Sequence, residues 1–188
     1  MRTRDPARKE RLLEAAAALI SESGYHTVSM ADLGAATGIT ASAVYRHFES
    51  KSAVLVALLD SVVDDLLRDA RQIVLEAPTP GEALRRLVGG QVAFVMEQRA
   101  LAQVYGQEVH NLPDVDARRL RRTQRIYLEE WVKQLLLARP ELEEEVARNL
   151  VHAALGAIQS RLHHRSALPD EQLSALLDAS GRAVLGVQ

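Results

Sequence analysis

Apolar residues recur along most of this chain at spacings of three and four, the signature of helices with one buried face. Leu12, Ala15, Ala16, Leu19 and Ile20 mark a first helix over residues 7–22, with Pro6 in its opening turn and Gly24 as its stop. Ser29 begins a short second helix, and Asp32, three residues later, completes a capping pattern. Leu33 faces inward there, and Gly34 is small enough to admit a neighbouring helix. Gly38 ends that element, Ile39 returns to the core, and Thr40 caps a third helix whose Val44 and Phe48 share a face. Two short helices meeting at a glycine turn make a helix-turn-helix.

Beyond residue 51 the periodicity stays helical. A long helix spans 51–76, and Pro80–Arg99 follows, interrupted in phase by Gly89-Gly90. Leu101–His110 is short and closed by "NLPD". Asp114–Ala138 is amphipathic, with Leu120, Ile126, Tyr127, Trp131, Leu135 and Leu136 expected inside. Pro140-Glu141 restarts the chain in a helix running to about His164, its acids suited to the positive end of the helix dipole. A last helix runs from "ALPDEQ" to near Leu185. No strand pattern and no fixed-period repeat interrupts this series, so the fold class is all-α.

Burying Val44 and Phe48 turns Thr40, Ala41, Ser42, Tyr45 and Arg46 outward. A helix of that kind lies in a DNA major groove with its early residues at the bases. The Tyr45 hydroxyl and His47 ring suit phosphate oxygens, as does Lys51 at the start of the next helix. Ser29, at the head of the second helix, is counted with this set.

Composition fits, without identifying the function. The 188 residues are 47% apolar and 26% charged, a globular balance able to bury a core. Net charge is −2, but residues 1–51 hold seven basic against six acidic residues and the remainder sixteen against nineteen. The absence of cysteine excludes disulfides and thiolate metal sites and suits a reducing cytoplasm. No apolar run approaches a membrane span, and no signal-peptide stretch follows the basic start, so a cytoplasmic, unanchored protein is expected.

The segment "ARKERLLEAAAALISESGYHTVSMADLGAATGITASAVYRHFESKSAVLVALL" resembles the DNA-binding domain of TetR-family transcriptional regulators. The likeness rests on the long first helix, the Gly-aromatic after it, the capped short helix, Gly38-Ile39-Thr40 and Tyr45-x-His47-Phe48-x-x-Lys51. Ala41 stands where the family often has a basic residue, and Gly34 where alanine is common. The resemblance implies an N-terminal three-helix DNA-binding domain (1–50) and a helical effector-binding and dimerisation domain (51–188). It also implies a homodimer through the last two helices, reading a palindromic operator of double-stranded DNA. Val146, Leu150, Ala153, Ala154, Ala157 and Ile158, then Leu173, Leu176, Leu177 and Val184, would form that bundle; internal core accounts for much of the same pattern.

Family members usually hold their effector in the helical domain. Here Phe94, Val95, Val104, Tyr105, Glu108, Arg125, Tyr127 and Trp131 offer apolar walls with a few polar groups. The alternative is structural, with Glu108 paired to an arginine and the rings filling core. The tyrosine–tryptophan spacing and the "NLPD" turn are similar to TetR-type regulators of lipid and acyl-CoA metabolism, which implies a small apolar, lipid-like or acyl-CoA effector. Arg118, Arg119, Arg121 and Arg122 would receive a phosphate tail or form a solvated face. No histidine pair has metal-site spacing, Gly89-Gly90 is no phosphate loop and there is no nucleophile elbow, so neither cofactor, metal nor enzyme activity is expected. A DNA-binding protein without an effector, an activator, and a helical module gripping protein with the Tyr45 face are the rivals.

Overall fold

A computed structural model describes residues 6–163 and 166–187, and the described residues form helices without strands. The order is α1 (Pro6–Ser23), α2 (Met30–Ala36), α3 (Ala41–Val44), α4 (Lys51–Glu76), α5 (Pro80–Glu97), α6 (Arg99–Gln107), α7 (Asp114–Ala138), α8 (Glu144–Gln159) and α9 (Asp170–Leu185). Single 3₁₀ turns follow α6 at Val109–Asn111 and α8 at Ser160–Leu162.

Packing divides the chain into two compact units. One takes the chain up to Val63 together with Ala100–Arg121; the other takes Asp64–Arg99 and everything from Arg122. The first unit wraps Leu12, Ile20, Leu33, Val44, Leu55, Leu59 and Leu120 into one apolar cluster. Val104, Leu112 and Ala117 belong to the same cluster, which is why residues 100–121 fall with the N-terminal helices. In the second unit α9 packs on α8 and α5. Its buried side chains include Leu84, Val88, Trp131, Leu135, Val151, Ile158, Leu177 and Leu185. A Cβ built on Gly181 would come within 3.0 Å of Ile158 and 3.1 Å of Val88, so this glycine sets how tightly α9 seats. Arg148 of α8 pairs with Glu129 of α7 and, at 2.9 Å, with Glu144. Its hydrogen bond holds the Glu129 carboxyl below its ordinary pKa.

Several expected details differ. Gly89-Gly90 does not interrupt α5, whose hydrogen bonding runs through both glycines. The eighth helix starts at Glu144, because Arg139 folds back onto Glu141 (2.9 Å) and the Leu142 N–H closes a turn on the Arg139 carbonyl. It ends at Gln159 followed by the 3₁₀ turn; His164 lies outside the described residues. Ile126, expected inside, is exposed, and Leu136 is half-buried. Val146, Ala153 and Leu176 are also exposed, so they are not part of this chain's internal core.

Candidate nucleic-acid interface

The outward face is built from the turn that joins α2 to α3. Ser29 accepts a hydrogen bond from the Asp32 backbone N–H, and its own N–H donates to the Asp32 carboxylate at 2.8 Å. These reciprocal bonds satisfy amides that would otherwise be orphaned at the start of α2. They also draw the Asp32 carboxyl below its ordinary pKa, the Ser29 hydroxyl being the largest cause.

Gly38 then takes the left-handed backbone (φ +69°) that turns the chain. Gly34 permits the close approach that follows: a Cβ there would lie 2.7 Å from the Ile39 carbonyl oxygen and 3.2 Å from the Ala41 nitrogen. Thr40 caps α3 by accepting from the Ala43 N–H, and its hydroxyl shares a hydrogen bond with that of Ser42 at 2.9 Å.

Four residues make the regular part of α3, and Tyr45–His47 continue it as a hydrogen-bonded turn. Val44 and Phe48 are buried, as their spacing requires. Thr40, Ser42 and Arg46 are exposed, Ala41 and His47 half-buried. Tyr45 is 55% exposed. An aromatic ring so placed contributes nothing to the core beneath it.

Lys51 opens α4 with its ammonium turned partly inward. Nζ donates to the carbonyls of Tyr25 (2.9 Å) and His26 (3.1 Å) and lies 4.5 Å above the Tyr25 ring. An ammonium has three donors. Lys51 also borders an open concavity of about 390 Å³, together with His26, Thr27, Ser29, Tyr45 and Ser50. Three of the DNA-facing candidates thus converge on one hollow. Sequence periodicity gave no signal for His26, Thr27 or Ser50, which lie in irregular segments.

The expected effector residues fall in both units. In the first, Val104 is cluster core and Tyr105 packs against that cluster. Glu108 accepts from the Tyr25 N–H (3.4 Å) and the Asn111 side-chain amide (2.6 Å), and not from an arginine. In the second, Phe94, Val95, Tyr127 and Trp131 are buried and Arg125 is exposed. The Tyr127 hydroxyl donates to Gln91 Oε1 at 2.9 Å, and the Tyr127 and Trp131 rings meet edge-to-face at 6.1 Å. Gln91, only 2% exposed, was not singled out by sequence. Among the described residues no three His, Cys, Asp or Glu side chains gather to hold a metal ion, and no helix is long and apolar enough to cross a membrane.

A short outward-facing helix, docked through a glycine turn onto a capped partner, defines a helix-turn-helix. Residues 12–58 match the family described as bacterial regulatory proteins, tetR family. The HTH-type transcriptional repressor KstR2 of Rhodococcus jostii is 30% identical over 105 residues, which cover 56% of this chain and 52% of that protein. The match therefore spans about half of that relative's length. A TetR-family regulator from Bordetella parapertussis superposes with a TM-score of 0.86 at 24% identity, over 97% of this chain and 95% of that one. AibR, solved with isovaleryl coenzyme A and operator DNA, shares the fold at a TM-score of 0.79 and 20% identity, over 92% and 96% of the two chains. Residues 12–58 are thus similar to the tetR family of bacterial regulatory proteins, and the chain shares the fold of the TetR-family structures.

Proposed function

We propose that this protein is a dimeric, sequence-specific DNA-binding transcriptional repressor that a small apolar ligand releases from a palindromic operator. Residues 1–50 act as its reading head, and 51–188 as the effector-binding and dimerisation part. The carrying observation is the Tyr45 face: Thr40, Ser42, Tyr45 and Arg46 point outward from a helix fixed by buried Val44 and Phe48.

In this reading Thr40, Ala41 and Ser42 meet base edges. Tyr45, Arg46, His47, Lys51 and the Ser29 end of α2 meet backbone phosphates. One such head makes few contacts, so two are needed, set about one duplex turn apart at roughly 34–36 Å. Val146 and Leu176, 46% and 52% exposed on α8 and α9, support pairing through those helices. The exposed small residues Ala153, Gly156, Ala175, Ala179 and Ala183 let a second copy approach closely.

Release by a ligand is supported by the polar groups enclosed in the second unit and by the effector-bound AibR structure. Coupling of this kind is reciprocal: ligand weakens operator binding by the factor by which operator weakens ligand binding. The protein performs no catalysis and works in the cytoplasm.

Operator titration across salt concentrations tests the reading. Each phosphate contact adds about 0.9 to the slope of log affinity against log salt, so a dimer making about six to ten contacts loses affinity steeply. A flat response defeats it. An activator would use the same head and differs only in the sign of the transcriptional response.

A further inference from the structure

The Lys51 ammonium ends a flexible four-carbon stem, so its position depends on what holds its tip. The carbonyls of Tyr25 and His26 hold it, at 2.9 and 3.1 Å, in the irregular turn between α1 and α2. A turn outside regular structure places a charge only if something places the turn. Glu108, just past the end of α6, does so: the Tyr25 N–H donates to its Oε1 at 3.4 Å across 83 residues of chain. The N–H and the carbonyl of Tyr25 belong to the two peptide planes that flank its Cα. Glu108 therefore fixes one plane and Lys51 the other.

Glu108 is itself held. Its second carboxylate oxygen accepts from Asn111 Nδ2 at 2.6 Å, and its N–H closes on the Val104 carbonyl at 2.9 Å. Val104 and Leu112, on either side of it, lie in the same apolar cluster as Tyr25. Burial raises the Tyr25 phenol pKa, and the nearby Glu108 charge adds to that rise.

We propose that Glu108 is a positioning residue for DNA binding: through Tyr25 it fixes the turn that aims the Lys51 ammonium at a backbone phosphate. The inference rests on the DNA-binding reading above and names a residue that readies one of its contacts. Two of the three ammonium hydrogens go to carbonyls, and the third is left for the hollow that Lys51 borders with Ser29 and Tyr45. A phosphate arriving there meets a cation already ordered, so little side-chain freedom is lost on binding.

Lys9, Lys51 and Lys133 are the lysines of the chain, and Lys133 is exposed. Competitive acetylation, read by mass spectrometry without DNA, compares Lys51 with Lys133 in the native protein, Glu108→Leu and Glu108→Gln. Leucine removes both acceptor oxygens, whereas glutamine keeps one. Relative to Lys133, Lys51 should acetylate at least about threefold faster in Glu108→Leu. The same proteins then bind a duplex that the native protein selects from a random-sequence pool. Glu108→Leu should weaken binding about tenfold and lower the log–log salt slope by about 0.9 per head, and Glu108→Gln should recover most of both. In a Lys51→Met background, Glu108→Leu should change affinity by less than about twofold.

An unchanged acetylation ratio, an unchanged salt slope, or additive losses in the double variant overturns the proposal. A purely structural Glu108 would lower the melting temperature and leave the ratio and the slope alone. If circular dichroism shows Glu108→Leu unfolded, Glu108→Asp, whose shorter arm withdraws the acceptor, takes its place with the same outcomes. Failure to select any duplex sinks the regulator reading, while the acetylation ratio still decides whether Glu108 sets Lys51.

Discussion

The ammonium of Lys51 lies 2.9 Å from the carbonyl oxygen of Tyr25 and 4.5 Å above the ring of that same residue. One cation thereby fastens the start of α4 to the turn after α1, using a charge-assisted hydrogen bond and a cation–π contact together. A lysine serving phosphate alone would leave stability unchanged when replaced. Lys51→Met keeps the apolar stem and removes the charge, and it should cost about 1–2 kcal/mol of unfolding free energy in urea. Operator affinity should fall as well, and further than the loss of one phosphate contact explains.

Gly34 carries the second prediction. Its missing side chain lets the Ile39 carbonyl oxygen approach to 2.7 Å of where a Cβ would stand, and that neighbour is backbone, which cannot swing aside. Gly34→Ala should destabilise the first unit by about 1–3 kcal/mol, the usual cost of overpacking. Because Trp131 lies in the other unit, the loss should appear in far-ultraviolet circular dichroism ahead of tryptophan emission.

Much of this architecture was legible in the sequence because its punctuation is local. The Ser29–Asp32 cap, the Gly24 and Gly38 turns and the bounds of the helices at 51–76 and 114–138 depend on neighbours a few residues away. What stayed hidden depends on distant partners. Lys51 answers Tyr25 across 26 residues, Glu108 answers the same residue across 83, and Gln91 answers Tyr127 across 36. Apolar spacing also says that a face is buried without saying by what. The pattern holding Val146 and Leu176 left a dimer bundle and internal core both open, and this chain leaves the two residues uncovered.

That uncovered face yields a third expectation. Leu176→Glu puts charge on an exposed site, so the folded chain should keep its helicity. Analytical ultracentrifugation should show the dimer replaced by monomer, with operator binding falling at least about tenfold, since a lone head loses the partner's half-site. An unchanged dimer would move the interface elsewhere.

On the reading head, substitutions should separate into two kinds. Tyr45→Phe and Arg46→Ala should weaken binding to all duplexes alike, and Arg46→Ala should lower the salt slope by about 0.9 if it meets one phosphate. Ser42→Ala should instead change which base is preferred. Thr40→Ala should do the same and also cost about 1 kcal/mol of stability, because Thr40 caps α3.

Alkaline pH probes the turn after α1. Burial raises the Tyr25 phenol above its ordinary value of 10.0, opposed by a hydrogen bond from Ser52 and reinforced by the charge of Glu108. Folding therefore favours the protonated ring. Its contribution is complete below the unfolded value and is lost as pH climbs past 10 through the raised folded value. Melting temperature followed from about pH 8 to 11 should fall more steeply for the native chain than for Tyr25→Phe.

The Thr40 and Ser42 hydroxyls, 2.9 Å apart, can exchange the roles of giver and receiver by rotating a single hydrogen. Facing a groove floor, such a pair accommodates either a purine ring nitrogen or a cytosine amino group without moving the backbone. The neighbouring Ala41 adds no fixed charge to veto either. On the proposed DNA-reading role, a pair so equipped would tolerate a change at the one base position it faces.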